Sequence, residues 1–218
     1  MTSEEFLISL EQENAACFER LVQLSAAGEA PESLTIERLL RVALKNELEA
    51  SEIAAIWMAG TGELHVKLAL ARQAGDEAKH YRLIEERLNE LGVDASAIDP
   101  RQGGYSPLFE YLSGLKDTAS RVAAGQFTRE GIALVRNQCF IDFCEARSDR
   151  KTAAMYRDVI QPDERHHHEL GRTLLARLVS DPQDQARARE AARRTIQLAE
   201  EAQETARLKA GLSRAPGC

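Results

Sequence analysis

A short motif of acidic residues and histidine occurs twice in this chain, and it restricts the fold more than any other feature of the sequence. The dipeptide Asp-Glu occurs only in "GDEAKH" and "PDERHH", and both times a histidine follows the glutamate by three residues. Residues at positions i and i+3 share one face of a helix. The motif therefore predicts two helices that each present Glu and His on the same side, Glu77 with His80 and Glu164 with His167.

Both motifs lie on stripes of apolar residues that recur every three or four positions, as on a helix face that packs into a core. The stripes contain Leu70, Ala74, Tyr81, Ile84 and Leu88 around the first motif, and Tyr156, Ile160, Leu170, Leu174 and Leu178 around the second. An unpaired buried carboxylate is strongly unfavourable. Two Glu and two His on facing apolar stripes therefore need a compensating charge, and a pair of divalent metal ions would supply it.

Helical periodicity continues through almost the whole chain, and turn-forming residues divide it. We predict long helices at 3–25, 35–58, 63–91, 118–147, 151–178 and 182–212, with a short one near 108–117. One long irregular stretch, 92–107, separates two pairs of long helices, which is the order of a four-helix bundle with one long crossover. The sequence thus predicts a single all-α domain over 1–218, with the bundle core at about 35–180 and additional N- and C-terminal helices.

A proline inside the fifth long helix raises a question about its start. Pro162 either kinks a continuous helix or occupies the first position of a shorter one. The strong helical pattern of "TAAMYRDVI" before it favours the kinked continuous helix.

Two further carboxylates precede the motifs at matching distances. Glu47 lies 30 residues before Glu77, and Glu130 lies 34 residues before Glu164. At about 1.5 Å per residue, these separations suit a helix that runs out, turns and returns level with its start. The unequal spacings require one helix pair to be longer by about a turn, so Glu145 or no carboxylate is the alternative to Glu130. Glu49 is the alternative to Glu47.

This pattern resembles the ferritin-like di-iron carboxylate proteins, which include ferritins, bacterioferritins, rubrerythrins and several oxygenases. One Glu from each of two helices and Glu-x-x-His from each of the other two is their ligand arrangement, and the resemblance covers about 35–180. It implies a ferritin-like four-helix bundle that holds two iron ions, or one iron and one manganese ion, per chain. Carried over by position, the terminal carboxylates are Glu47 and Glu130, the bridging ones are Glu77 and Glu164, and the imidazole ligands are His80 and His167.

The resemblance also implies residues that support the ligands. Asp76 and Asp163 match aspartates that, in many members, hold the opposite histidine by its other ring nitrogen. Tyr81 and Tyr156 lie near the site on the apolar stripes and are candidates to donate hydrogen bonds or relay electrons, although core tyrosines need no such role. His166 and His168 point away from His167, at 100° per residue, and we expect them to be solvated or to support the ligands.

The resemblance implies an oxidoreductase that activates O₂ or peroxide and oxidises a small or apolar organic substrate; the sequence identifies neither that substrate nor the electron donor. The small residues Ala50, Ala54 and Ala133 beside the ligands leave room for an apolar cavity. The alternatives are a ferroxidase or peroxide scavenger without an organic substrate, and a metal-free helical scaffold. The absence of a CxxC pair excludes a complete classical rubrerythrin.

Composition restricts the partners and the compartment. A net charge of −7 argues against broad nucleic-acid binding, which depends on neutralising phosphates. The four cysteines lack metal-site spacing, the N-terminus is acidic where a signal peptide is basic, and no apolar run reaches the roughly 18 residues of a membrane helix. We therefore expect a cytoplasmic protein that does not bind membranes. We expect a homodimer, with the charged final helix docked on the bundle or forming the dimer contact.

Overall fold

The computed structural model describes residues 1–26, 34–210 and 216–217, and within these ranges the regular secondary structure is helical, without a strand. The α-helices are α1 (Ser3–Ala26), α2 (Ile36–Gly60), α3 (Leu64–Glu90), α4 (Pro107–Gly114), α5 (Thr118–Val122), α6 (Glu130–Ala146), α7 (Arg150–Met155), α8 (Gln161–Leu178) and α9 (Pro182–Ala210). A 3₁₀ turn, Ala95–Ala97, lies in the long connection between α3 and α4. The predicted all-α class is confirmed.

Local signals in the sequence explain where these helices begin and end. The side chains of Thr35, Ser106, Asp117 and Asp149 accept hydrogen bonds from the backbone N–H three residues later, at the starts of α2, α4, α5 and α7. This is the usual way to satisfy N–H groups that lack a partner in the first turn. Gly92 follows α3 with φ of 84°, a conformation that terminates helices and that glycine adopts readily.

Two π-helical segments interrupt helices that the sequence predicts to be uninterrupted. The first π turn, Ala123–Arg129, joins α5 to α6, and the second π turn, Tyr156–Ile160, joins α7 to α8. The helix is continuous through Pro162, as predicted, but the distortion is a π turn that ends at Ile160, two residues before the proline. Because proline lacks an N–H and clashes with the carbonyl of the preceding turn, a wider turn at this point accommodates it.

The long helices pack in pairs. α2 packs along α3, and α6 packs along α7 and α8. α8 contacts the first π turn and α3. α1 packs on α6, α8 and α9, while α9 also packs on α4, α5 and the first π turn. The predicted end of the last helix, at 211–212, and residues 27–33, between the first two predicted helices, lie outside the described residues. No helix in the described ranges is both long enough and apolar enough to cross a bilayer.

Two apolar cores lie along the bundle, and the motif residues fall between them. On α2, residues 39–44 belong to one core and residues 53–57 to the other, with Glu47 between them. On α3, residues 66–70 and 84–88 flank the first motif in the same way. Residues 156–160 and 174–175 flank the second motif. This layer of acidic residues and histidines is therefore buried between apolar cores on both sides.

Candidate metal centre

Six of the predicted site residues meet in this buried layer and form what we call the Glu/His cluster. It comprises Glu47, Glu77, His80, Glu130, Glu164 and His167, each no more than 3% exposed. They form two groups in which one atom from each residue lies within 4.8 Å of the others. The His80 group contains Glu47, Glu77, His80 and Glu164, and the His167 group contains Glu77, Glu130, Glu164 and His167. Glu77 and Glu164 belong to both groups, and each group could hold a metal ion.

The histidine rings point their Nδ1 atoms into the cluster. His80 Nδ1 lies 3.2 Å from Glu77 Oε2, 3.5 Å from Glu47 Oε2 and 3.7 Å from Glu164 Oε1. His167 Nδ1 lies 3.5 Å from Glu164 Oε2 and 3.6 Å from Glu77 Oε1. The two rings therefore occupy matching places, one in each group.

The other ring nitrogens are held by aspartates from the opposite motif. His80 Nε2 donates to Asp163 Oδ2 over 3.1 Å, and His167 Nε2 donates to Asp76 Oδ2, also over 3.1 Å. Lys79 lies between these aspartates, with Nζ 2.5 Å from Asp163 Oδ2 and 3.9 Å from Asp76 Oδ1. Because a carboxylate accepts the Nε2–H, each imidazole has its Nδ1 available as a ligand atom. Each motif thus fixes the orientation of the histidine of the other, across the contact between α3 and α8.

Two buried atoms in the cluster lack hydrogen bonds. Among the described residues, His167 Nδ1 and Glu164 Oε2 have no hydrogen-bond partner, although both are shielded from solvent. Buried polar atoms without partners are rare and costly. An imidazole nitrogen and a carboxylate oxygen that face each other across a buried site are suitable ligands for a divalent cation.

The electrostatics of the cluster reflect its crowding. Burial raises the pKa of Glu164 well above its ordinary value, and the neighbouring carboxylates raise it further. Burial also raises the pKa of Glu47 to about 7, against an opposing effect of His80. Burial alone would lower the pKa of His80, but Glu47 and Glu77 outweigh it and raise that pKa to about 11. Without cations, the cluster therefore retains protons that balance its negative charge.

Two polar side chains that the sequence analysis did not single out hold Glu130. Gln73 Nε2 donates to Glu130 Oε1 over 2.7 Å and lies 3.4 Å from Glu77 Oε1. Arg129, itself buried, donates to Glu130 Oε1 over 3.1 Å and to the backbone carbonyl of Asn46 over 3.3 Å. Gln73 lies four residues before Glu77 and therefore on the same helix face. This spacing is the one feature of the sequence that could have indicated its contact with the cluster.

The alternative carboxylates lie elsewhere. Glu49 accepts hydrogen bonds from the backbone N–H and the hydroxyl of Ser106, at 2.9 and 2.5 Å, and so holds the start of α4. Glu145 is half exposed and pairs with Arg157. Glu47 and Glu130, rather than the alternatives Glu49 and Glu145, therefore lie in the cluster. The longer spacing is accommodated on both sides of the connection. The stretch from Glu130 to the end of α6 exceeds that from Glu47 to the end of α2 by three residues, and the stretch from the start of α7 to Glu164 exceeds that from the start of α3 to Glu77 by one.

The two tyrosines differ. Tyr156 is fully buried, and burial, followed by Glu47, Cys144 and Glu164, raises its pKa well above the ordinary value, so its phenol lies near the cluster. Tyr81 is partly exposed, and the charged groups that act on its phenol are Glu85, Arg101 and Asp99, which are outside the cluster. The expectation that Tyr81 supports the ligands is therefore not matched by its surroundings.

The remaining histidines of the triple run are half-buried. The His166 ring approaches the His167 ring edge-on, with centroids 6.3 Å apart. His168 Nδ1 lies 2.7 Å from the backbone oxygen of Phe127, in the first π turn, and its ring stacks on the Phe127 ring. His168 is therefore bound to the protein rather than solvated.

Comparison with known proteins identifies the family of the chain. The family described as "Protein of unknown function (DUF455)" matches residues 44–216, which include the whole Glu/His cluster. The chain belongs to the DUF455 family. Neither the comparison with curated proteins nor that with solved structures gave a match.

This DUF455 chain also has a groove that none of the six cluster residues lines. It has a volume of about 430 Å³ and runs between α2, the start of α4, α6 and α9, with Val42, Leu108, Leu198 and Ala202 among its apolar walls. Asn46, which precedes Glu47, also lines it. The three small residues that we expected to leave room for an apolar cavity do not line this groove. They are buried in the helix packing instead: Ala50, Ala54 and Ala133.

Proposed function

We propose that this protein is a ferritin-like dinuclear-metal carboxylate oxidoreductase. It holds two iron ions, or one iron and one manganese ion, and it reduces O₂ or peroxide while it oxidises a small or apolar organic substrate. One observation carries the proposal. Two buried groups share Glu77 and Glu164, and each adds one histidine and one further glutamate.

Charge balance supports two divalent ions. The four glutamates of the cluster carry a charge of −4 when ionised, and both histidines are neutral when they bind a metal. Two divalent cations neutralise this set within a layer that apolar cores enclose on both sides. A carboxylate-rich set with one imidazole per ion suits iron or manganese better than the softer, thiolate-preferring ions.

The residues of the chain have separate roles in this proposal. Glu77 and Glu164, which belong to both groups, would be shared by the two ions, while Glu47 and Glu130 would each serve one ion. When bound, iron would supply electrons for the reduction of O₂ or peroxide, and the organic substrate together with an external electron donor would replace them. Asp76 and Asp163 hold the imidazoles by Nε2, so that Nδ1 faces the site and ring rotation is restricted; Nδ1 would give up its proton on binding a metal ion. The apolar cores on either side exclude water from the reacting groups.

The groove beside Asn46 favours an organic substrate over a purely inorganic reaction. Its volume of about 430 Å³ lies in the range of small-molecule sites. Arg129 links the two regions, since it donates to the carbonyl of Asn46, which lines the groove, and to Glu130 of the cluster. A ferroxidase or peroxide scavenger would need no such groove, and product analysis with and without added organic compounds distinguishes the two.

Metal content is the first test. The protein is purified from iron-supplemented cells, its metals are measured by mass spectrometry, and Fe(II) is titrated anaerobically before O₂ is admitted and the absorbance is recorded. We expect two ions per chain and a new charge-transfer band after O₂. The variants Glu47→Gln and Glu130→Gln should each bind fewer ions, whereas Glu145→Gln, a half-exposed carboxylate on α6, should match the unmodified protein. No metal, or one loosely held ion indifferent to these changes, would leave a metal-free helical scaffold.

A further inference from the structure

The third histidine of the run "HHH" holds the backbone of another helix. His168 Nδ1 lies 2.7 Å from the carbonyl oxygen of Phe127. Because a carbonyl can only accept, this contact requires the proton of the imidazole to be on Nδ1. The His168 ring also stacks on the Phe127 ring, with centroids 5.0 Å apart and planes 13° from parallel. Both contacts are made to the first π turn, which directly precedes Glu130.

His168 adds a hydrogen-bond donor from α8 to a carbonyl of the first π turn. The Glu130 N–H bonds to the Gly125 carbonyl, five residues back, and the α-helical pattern begins at Glu130. A carbonyl oxygen has two lone pairs, so the Phe127 carbonyl can accept the His168 N–H whether or not it is also bonded within its own helix. All seven residues of the first π turn are buried, so water is not a ready substitute. His168 supplies the N–H from α8.

The same face of α8 fits closely against the turn at a second point. Gly171 follows His168 by three residues, and a Cβ atom at Gly171 would lie 2.7 Å from the carbonyl carbon of Gln126. From the other side, Asn14 of α1 donates to the Thr128 hydroxyl over 3.1 Å. Backbone and side-chain contacts thus hold the turn on two sides, and α8 also carries Glu164 and His167.

We propose that His168 is a positioning residue that keeps the first π turn in its π-helical form and so places the Glu130 carboxylate in the His167 group. A π turn contains one more residue than an α turn, and one residue corresponds to a rotation of about 100° in an α-helix. Relaxation of the turn to α spacing would rotate α6 relative to α5, and Glu130 would leave its place beside Gln73. The inference rests on the proposed dinuclear site, because it assigns His168 to one of the two metal positions.

Three variants of α8 separate the hydrogen bond from general packing. His168→Phe retains a ring that can stack on Phe127 but has no donor. His168→Asn replaces Nδ1–H with an amide N–H at a similar distance from the backbone. Thr173→Ala is the matched control, because the Thr173 hydroxyl bonds within α8 to the Glu169 carbonyl on an exposed part of the helix.

The first measurement is the binding of Fe(II) under anaerobic conditions, followed for both ions. We expect His168→Phe to lower the affinity for one of the two ions by about tenfold or more, which is typical when a group that holds a metal ligand is removed. The affinity for the other ion should not change. His168→Asn should recover most of the loss, and Thr173→Ala should bind both ions as the unmodified protein does. Unchanged affinity for both ions in a folded His168→Phe protein would overturn the inference.

The second measurement does not depend on metal. Hydrogen–deuterium exchange of the metal-free protein should be faster across 123–131 in His168→Phe than in the unmodified protein or Thr173→Ala. If the unmodified protein binds fewer than two ions, the dinuclear function fails, and exchange alone decides the role of His168. Unchanged exchange then overturns it. If His168→Phe does not fold, His168→Asn must retain both the second ion and slow exchange, and loss of either overturns the inference.

Discussion

The two halves of the Glu/His cluster repeat the same motif but hold their terminal glutamates differently. Glu47 lies in the uninterrupted helix α2, and the side chains that act on it are His80 and Glu77, both members of the cluster. Glu130 follows a π turn, and Oε1 accepts hydrogen bonds from Gln73 and Arg129. An amide and a guanidinium thus compete with a cation for Glu130. A duplicated motif therefore does not produce two equal groups, and in the proposed dinuclear site we expect the His167 group to bind its ion more weakly.

Removal of a shared carboxylate should have the largest effect, because it damages both groups together. In Glu77→Ala, we expect the metal content to fall from two ions per chain to nearly none, since Glu77 belongs to both groups. Glu86→Ala changes an exposed glutamate on the same helix and is the control. Metal analysis after gel filtration measures the effect. Retention of one tightly bound ion in Glu77→Ala would show that the groups do not share this residue.

Removal of a terminal carboxylate should separate the two groups. We expect Glu47→Gln and Glu130→Gln each to retain one ion, and the ion left in Glu130→Gln to be the more tightly bound. The reason is that the His80 group lacks the competing donors that hold Glu130. Anaerobic titration of both variants against a chelator of known affinity measures the difference. Equal affinities for the remaining ion would break the comparison.

Two glycines beside the motifs provide a test on the fold itself. Gly171 of α8 lies so close to Gln126 that a Cβ would be 2.7 Å from its backbone, whereas a Cβ at Gly75 of α3 meets no atom within 4 Å. We expect Gly171→Ala to lower the free energy of unfolding by about 1–3 kcal/mol through overpacking. Gly75→Ala should raise it by up to about 1 kcal/mol through improved helix propensity. Urea denaturation measures both, and a loss of stability in Gly75→Ala would contradict this reading of α3.

Most of this difference between the two halves of the Glu/His cluster could not be predicted from the sequence, for identifiable physical reasons. The six cluster residues could be selected because their spacings put them level on facing apolar stripes, and the structure brings these six side chains together. The π turns could not be predicted, because one extra residue per helix barely alters a pattern of apolar residues at three- and four-residue steps. Pro162 marked a distortion but not its form. Tyr81 shows the same limit, since it shares a stripe with Glu77 yet faces Arg101 and Asp99.

The donors to Glu130 are the direct test of why the halves differ. Gln73→Leu keeps a similar side-chain volume and removes the amide that donates to Glu130 Oε1 over 2.7 Å. A hydrogen bond of this kind is worth about 0.5–1.5 kcal/mol, so we expect the weaker ion to bind roughly 2- to 10-fold more tightly in the variant. The affinity of the tighter ion should not change. Weaker binding of the second ion would mean that Gln73 positions Glu130 rather than competing for it.

The connections from α2 to α3 and from α6 to α7 extend the comparison to the pH dependence of stability. Glu63, at the start of α3, makes no side-chain capping bond, whereas Asp149, at the start of α7, caps Thr152 and pairs with Arg87 at 2.9 Å. Burial opposes the charge of Asp149, but the Thr152 hydrogen bonds and Arg87 outweigh it and lower its pKa.

A folded-state pKa below the unfolded one means that the charged form of Asp149 stabilises the fold above the unfolded pKa. That contribution is lost as pH falls through the lower, folded value. We expect Asp149→Asn to be less stable than the unmodified protein at pH 7, by at most about 1 kcal/mol, because asparagine still caps the helix but cannot pair with Arg87. The difference should shrink as pH falls below about 4, near the ordinary pKa of aspartate. Urea denaturation of chelator-treated protein measures it without the pH dependence of metal binding, and Glu63→Gln should show a smaller change. A difference that persists at low pH would mean that Asp149 acts through its shape rather than its charge.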